Sequence, residues 1–292
     1  MVETLSILGL WLAVGAMAAE PAMPAGVVAM PSIAWHNDYD EATRDADAQG
    51  RMLLLYFHDQ ANRLCQRFDQ ETLADPAVRA RLADYVCARL PIEAAIVRDG
   101  KAQVLLKHPS FAEMQGKPGI AIVDYVHRDT NLHGSIVSEF PLTKKLWYGP
   151  KEMGVILDLP PGTLTQRTLI YAVRIHPEGP ASTTGQFDPR LAEEAQKHAD
   201  YQARLRRQGH QHWKKRFRQI MRLLPRGLIP KEVCAESWPG ENLVEAAIEC
   251  VHSWRRSSGH WSAVRAKHDL YGYDMKRGPN RIWYATGIFG SR

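Results

Sequence analysis

Between Phe140 and Gly162 the chain places Pro141, Pro150, Pro160 and Pro161 together with Gly149 and Gly154. Proline fixes φ and removes a backbone donor, so neither a long helix nor a central strand runs through such a segment. The break predicts two parts, and 292 residues divided there give two domains of ordinary size. The expected order is a leader at 1–18, a linker at 19–33, a first domain at 34–140, a linker at 141–162 and a second domain at 163–292.

In the first part, Asp38 to Gln49 has Tyr39, Ala42 and Ala46 on one helical face, with Gly50 as the stop. Met52 to Phe57 (MLLLYF) is a short apolar run, as expected of a strand covered on both faces. Arg63–Thr72 and Pro76–Ala83 read as helices, the second with Asp75 and Pro76 as cap and first-turn proline. Tyr85 to Leu90 is the next strand, and Ile120–Tyr125 with Leu132–Phe140 form a hairpin. This order predicts a mixed sheet with helical cover. In the second part, Thr163 caps a helix to Ile175 and Asp188-Pro189 opens another. Asn242 with Glu245 resembles a capping box for a helix ending near Trp254, and Arg281 to Phe289 closes as a strand.

The N-terminus carries an apolar run from Leu5 to Ala16, shorter than the roughly 20 residues of a membrane span. Ala16-Met17-Ala18 then offers a small-x-small cleavage pattern, so the chain is expected to be exported after cleavage near Ala18. An uncleaved apolar anchor is the alternative, because this N-terminal region has Glu3 and no Lys or Arg. No later segment reaches spanning length, so the mature chain is expected to lack a membrane span.

Residues 34–140 resemble the thioredoxin-like family, on the strand MLLLYF, the stretch Asp59 to Asp69, the strand YVCARL and Gly116-Lys117-Pro118-Gly119 before the hairpin. In that family a Cys-x-x-Cys pair opens a helix, whose N-terminus lowers the first thiol's pKa. The matching positions here run from Asn62 to Cys65, so the nucleophile position holds asparagine and only the resolving cysteine remains. The resemblance places Pro118 at the family's cis-proline. It implies a redox-inactive module, with Cys65 either a buried filler or a single-thiol exchange site.

Residues 163–290 resemble the CAP (SCP-like) family of secreted proteins. The carrying residues are the two opening helices, His210, Cys234-Ala235-Glu236-Ser237, and Trp254 to His260 (WRRSSGH), close to the family's Trp-x-x-Ser-Pro-Gly-His. The resemblance implies an α-β-α sandwich whose cleft gathers two histidines and acids, so the fold class is α/β followed by α+β. His260 is the firmest position. His210 is preferred for the first histidine, with His212 as rival. The acid is Glu236, or else Glu241 of Gly240-Glu241-Asn242. Arg255 and Arg256 stand where eukaryotic members carry a further acid. The resemblance implies a divalent metal on His210, His260 and Glu236, and two imidazoles with one carboxylate favour zinc over calcium.

Four cysteines are too few for a disulfide scaffold. Cys234 and Cys250 could pair in an exported protein or remain two buried thiols. Arg204 to Arg226 carries nine basic residues and no acidic one, with Trp213 and Phe217 interleaved. Such a stripe suits a polyanion or a solvated face. Export points to an envelope polyanion and away from nucleic acid. The favoured function is non-catalytic binding of a small molecule, a glycan or a metal-linked ligand of the cell envelope in the CAP-like cleft. The alternatives are a metal-dependent hydrolase built on the His/Glu cleft and thiol exchange through Cys65.

Overall fold

The apolar run that follows Gly50 forms a strand covered on both sides. The computed structural model describes residues 33–98 and 100–292, so the leader and residues 19–32 of its linker lie outside it. The chain enters through β1 (Trp35–His36) and α1 (Tyr39–Gln49), then lays down β2 (Leu53–His58). The Asp38 carboxylate caps α1 by accepting the Glu41 N–H at 2.7 Å, and Gly50 closes it in the left-handed conformation. Leu54 and Tyr56 of β2 face one core, while Leu53, Leu55 and Phe57 face α1 across another.

After α2 (Arg63–Arg67), a π-helical turn over Phe68–Thr72 and α3 (Pro76–Leu82), the chain forms β3 (Val86–Pro91). A separate ribbon of β4 (Ala95–Arg98) and β5 (Lys101–Val104) precedes β6 (Gly119–Val123) and β7 (Ile136–Pro141). The sheet order is β1-β3-β2-β6-β7, parallel through β2 and antiparallel beyond it, which is the expected mixed sheet.

The connection 141–162 is not a bare tether. It contains α4 (Pro150–Leu157), whose Met153 and Ile156 are fully buried. The next helix, α5 (Leu164–Ile175), starts from a complete capping box between Thr163 and Gln166. Every residue from Gln166 to Val173 is buried, as required of a helix with neighbours all round. It packs on β7 through an edge-to-face contact of Tyr171 with Phe140, ring centroids 4.7 Å apart, and its other side meets the second sheet.

That second sheet follows β8 (Gln186–Phe187), α6 (Pro189–Leu205), α7 (Trp213–Leu223), β9 (Ile229–Glu236), α8 (Leu243–Arg255), α9 (Ser258–Arg265), β10 (Leu270–Arg277) and β11 (Trp283–Ser291). Its order is β8-β10-β11-β9. Alternate residues separate its faces. Val233, Ala235, Tyr271, Tyr273, Ala285 and Phe289 join the core that holds α5, α8 and the fully buried Trp254. Ile288 faces the other way, with Leu191 and Ala195 of α6 and Ile220 of α7. The layers are thus α6 with α7, the sheet, and α5 with α8. Because one core runs from Leu54 to Phe289, both sheets share it through α5.

Arg167 ties this core to the connection. Its buried guanidinium donates to the Ser138 hydroxyl at 2.9 Å and to the Leu159 and Pro160 carbonyls at 2.9 Å each. Burial pushes its pKa down to about 10.

Helix α6 lies directly on β10 at Gly272, where a Cβ would sit 2.2 Å from the Ala192 nitrogen and 2.4 Å from the Leu191 carbonyl carbon. Backbone atoms cannot yield as a side chain does. Gly272→Ala is therefore expected to destabilise the chain by roughly 1–3 kcal/mol, read as a lowered denaturation midpoint.

Candidate functional site

The loop after α6 is positioned by side chains of α6 itself. Asp188 caps the helix, Pro189 opens it, and Ala195, His198, Ala199 and Gln202 bury one face on the sheet. At its end Arg206 turns left-handed. The Gln202 side chain accepts the Gly209 N–H at 3.0 Å, and His198 Nε2 donates to the Gly209 carbonyl at 2.9 Å. Gln208 Nε2 donates to the Cys234 carbonyl at 3.1 Å, joining the loop to β9. The next residue after this clamp is His210.

His210 Nδ1 lies 2.9 Å from Glu232 Oε1, and its Nε2 lies 3.0 Å from Nε2 of His260 near the start of α9. The Glu232 side chain is 1% exposed and its second oxygen accepts from Arg216 of α7. Burial pushes this carboxyl up, but the His210 and Arg216 hydrogen bonds outweigh it and hold it below the usual glutamate range. An ionised carboxylate only accepts, so His210 carries its proton on Nδ1. In that Nδ1–H tautomer, Nε2 of His210 has its lone pair facing His260. Burial first, and then the neighbouring His210 imidazole, lower the His260 pKa and favour its neutral form. The pair remains reachable, because the His210 side chain is 41% exposed.

The predicted residues divide accordingly. His210 and His260 come together. His212 does not join them; it takes a left-handed conformation before α7, and its Nε2 meets the Tyr201 hydroxyl at 3.0 Å. Glu236 does not join them either. It shares a face of β9 with Glu232, but four residues of strand displace it by about 13 Å and it is exposed. Glu241 accepts the Trp238 N–H at 3.1 Å, and Asn242 caps α8 by accepting the Glu245 N–H, so Gly240-Glu241-Asn242 forms a turn and cap. The acid beneath the histidines is Glu232, which sequence reasoning missed together with Arg216. The available signal was period two: Glu232 shares a strand face with Cys234, a residue type that favours burial.

His198, Glu232 and Cys234 also hold potential ligand atoms within 4.8 Å of one another. Their atoms are otherwise engaged. His198 Nε2 donates to Gly209, Glu232 binds His210 and Arg216, and burial raises the Cys234 thiol well above its ordinary pKa. This group is better suited to orienting His210 than to ligating an ion itself. The two Nε2 atoms fit zinc better, since ligands at 2.0–2.1 Å in a tetrahedral site lie roughly 3.3 Å apart. A carboxylate on the opposite imidazole nitrogen is the usual support for such a ligand.

In the first sheet, Asn62 caps α2 by accepting the Leu64 N–H at 2.9 Å. Cys65 is 2% exposed, and burial pushes its thiol up, opposite to what an attacking thiolate needs. Pro118 precedes β6 through a trans bond, since the described residues contain no cis peptide; this corrects the cis expectation. Its carbonyl accepts the Leu142 N–H at 2.7 Å, tying the start of β6 to the end of β7. Cys65, Cys87, Cys234 and Cys250 are all free thiols, so Cys234 and Cys250 are two buried thiols and not a disulfide.

A protein-family model described as thioredoxin-like matches residues 34–125. Residues 34–125 are a thioredoxin-like domain. Among solved structures, an outer surface protein from Borrelia burgdorferi is similar at 20% identity and a TM-score of 0.30, covering 37% of this chain and 77% of that one. No curated protein matches the chain. Among the described residues, no helix is long and apolar enough to cross a membrane.

Proposed function

We propose that this is an exported, non-catalytic binding protein whose ligand site is the His210–His260 pair, with Glu232 as the acid that orients it. The observation that carries the reading is the 3.0 Å approach of two imidazole Nε2 atoms, one of them held from behind by a buried carboxylate. Residues 163–292 resemble CAP proteins, and what supports that assignment is the layering of α6, the sheet, and α5 with α8. Glu232 replaces Glu236 as the acid of the cleft. The apolar run at 5–16 followed by Ala16-Met17-Ala18 supports export.

His210 and His260 would hold a divalent ion of the zinc type. A zinc ion there would offer its open positions to an oxygen of a small molecule or glycan. Glu232 keeps His210 in the tautomer that leaves Nε2 free, and Arg216 keeps Glu232 charged. The thioredoxin-like domain serves as a scaffold, consistent with Asn62 at the nucleophile position and the buried Cys65. The hydrolase alternative lacks support at its general base, because Glu232 is already engaged by His210 and Arg216. Metal analysis of the purified chain, repeated on His210→Ala and His260→Ala, tests the proposal. One zinc per chain, lost in both variants, is the expected result. Zinc content unchanged by both substitutions refutes it.

A further inference from the structure

The outer face of α7 presents cations without counter-charges. Lys214, Lys215, Arg218 and Arg222 are exposed on the helix, and Arg226 follows it. None of the five has a carboxylate within ion-pair distance among the described residues. By contrast, Arg67, Arg128, Lys197, Arg255 and Arg256 each have one. Arg216 is the member turned inward, onto Glu232. The helix is fixed by its other side, where Ile220 joins Leu191, Ala195 and Ile288. Lys214, Arg218, Met221 and Arg222 follow helical spacing and share one stripe.

Apolar groups accompany these charges. Met221 is 39% exposed, and Ile229, just beyond the helix, is 52% exposed. Of the six exposed large apolar side chains described, Leu205 and Met221 fall within Arg204 to Arg226, and Ile229 follows three residues after it. A nucleic acid or acidic glycan is served by charge alone, whereas an anionic bilayer surface also rewards apolar side chains that enter the headgroup layer. We propose that the outer face of α7 docks the protein on an anionic lipid surface. This stands independently of the histidine pair, which plays no part in it.

Each exposed basic side chain strengthens attachment to such a surface by roughly fivefold. The test is flotation of the full chain with phosphatidylcholine vesicles, with and without phosphatidylglycerol. Binding is expected only when phosphatidylglycerol is present, weakening with salt. Lys214→Gln with Arg218→Gln and Arg222→Gln should weaken it on the order of a hundredfold, with the circular dichroism spectrum and melting midpoint unchanged. Met221→Ser should weaken vesicle binding several-fold while leaving heparin binding unaltered. Equal binding to neutral vesicles, or no loss in the triple variant, overturns the proposal. So does vesicle binding indifferent to Met221→Ser with tighter binding to heparin, which would identify a general polyanion site.

Discussion

Replacing Arg167 with methionine is expected to destabilise the chain by about 3–5 kcal/mol, with both sheets unfolding in one transition. The guanidinium is buried and paired with neutral acceptors: the Ser138 hydroxyl on β7 and the carbonyls of Leu159 and Pro160 in the connection. Methionine conserves much of the volume but leaves these acceptors without a donor in the core. The Ser138 contact ties α5 to the first sheet, while α5 also packs on β10 of the second. Loss of the contact should therefore be felt on both sides. Urea melts followed by far-ultraviolet circular dichroism and tryptophan fluorescence should give coincident curves shifted together. A variant that retains the parent midpoint contradicts the assigned role, and separated transitions contradict the shared core.

The second large effect concerns Glu139, a fully buried carboxyl on β7. Burial, reinforced by the charge of Glu113, pushes its pKa up to about 8. Neither oxygen makes a hydrogen bond of ordinary geometry, although the amides of Glu113 and Met114 pull the other way. Glu113 itself is raised, by burial first, and accepts the Leu243 N–H at the start of α8. The folded pKa of Glu139 exceeds its unfolded value, so its contribution is fully present below about pH 4.5 and is lost as pH rises through about 8. The full swing is on the order of 4–5 kcal/mol. Glu139→Gln should flatten this slope, leaving acid stability nearly unchanged and raising the melting midpoint most clearly above pH 8. Parallel pH profiles for variant and parent would show that the carboxyl is not held neutral.

The elements were legible where local chemistry and burial agreed. MLLLYF formed the doubly covered strand, Thr163 capped α5, and Asp188-Pro189 opened α6. The proline-rich connection was legible as a break but not as part of the core. Its burial depends on Met153, Ile156 and the reach of Arg167, contacts set by tertiary packing. The proximity of His210 and His260 was expected from residues around them, with Trp254 in the helix before His260. The acid was not. Glu232 lies next to Lys231 in a strand that reads as half-solvated, and only strand register with Cys234 brings it beneath His210. Pro118 shows the converse limit, because matching a family position did not specify its peptide geometry.

The most direct test of the histidine site is zinc titration of the full chain by calorimetry, comparing Glu232→Gln with Glu236→Gln. The geometry predicts one site whose affinity falls about 10–100-fold in Glu232→Gln, because glutamine no longer holds His210 as a carboxylate does. Glu236→Gln should match the parent. Absence of zinc binding by the parent chain, or equal affinity in the parent and Glu232→Gln, would contradict the assignment of the His210–His260 pair as a metal-linked site oriented by Glu232.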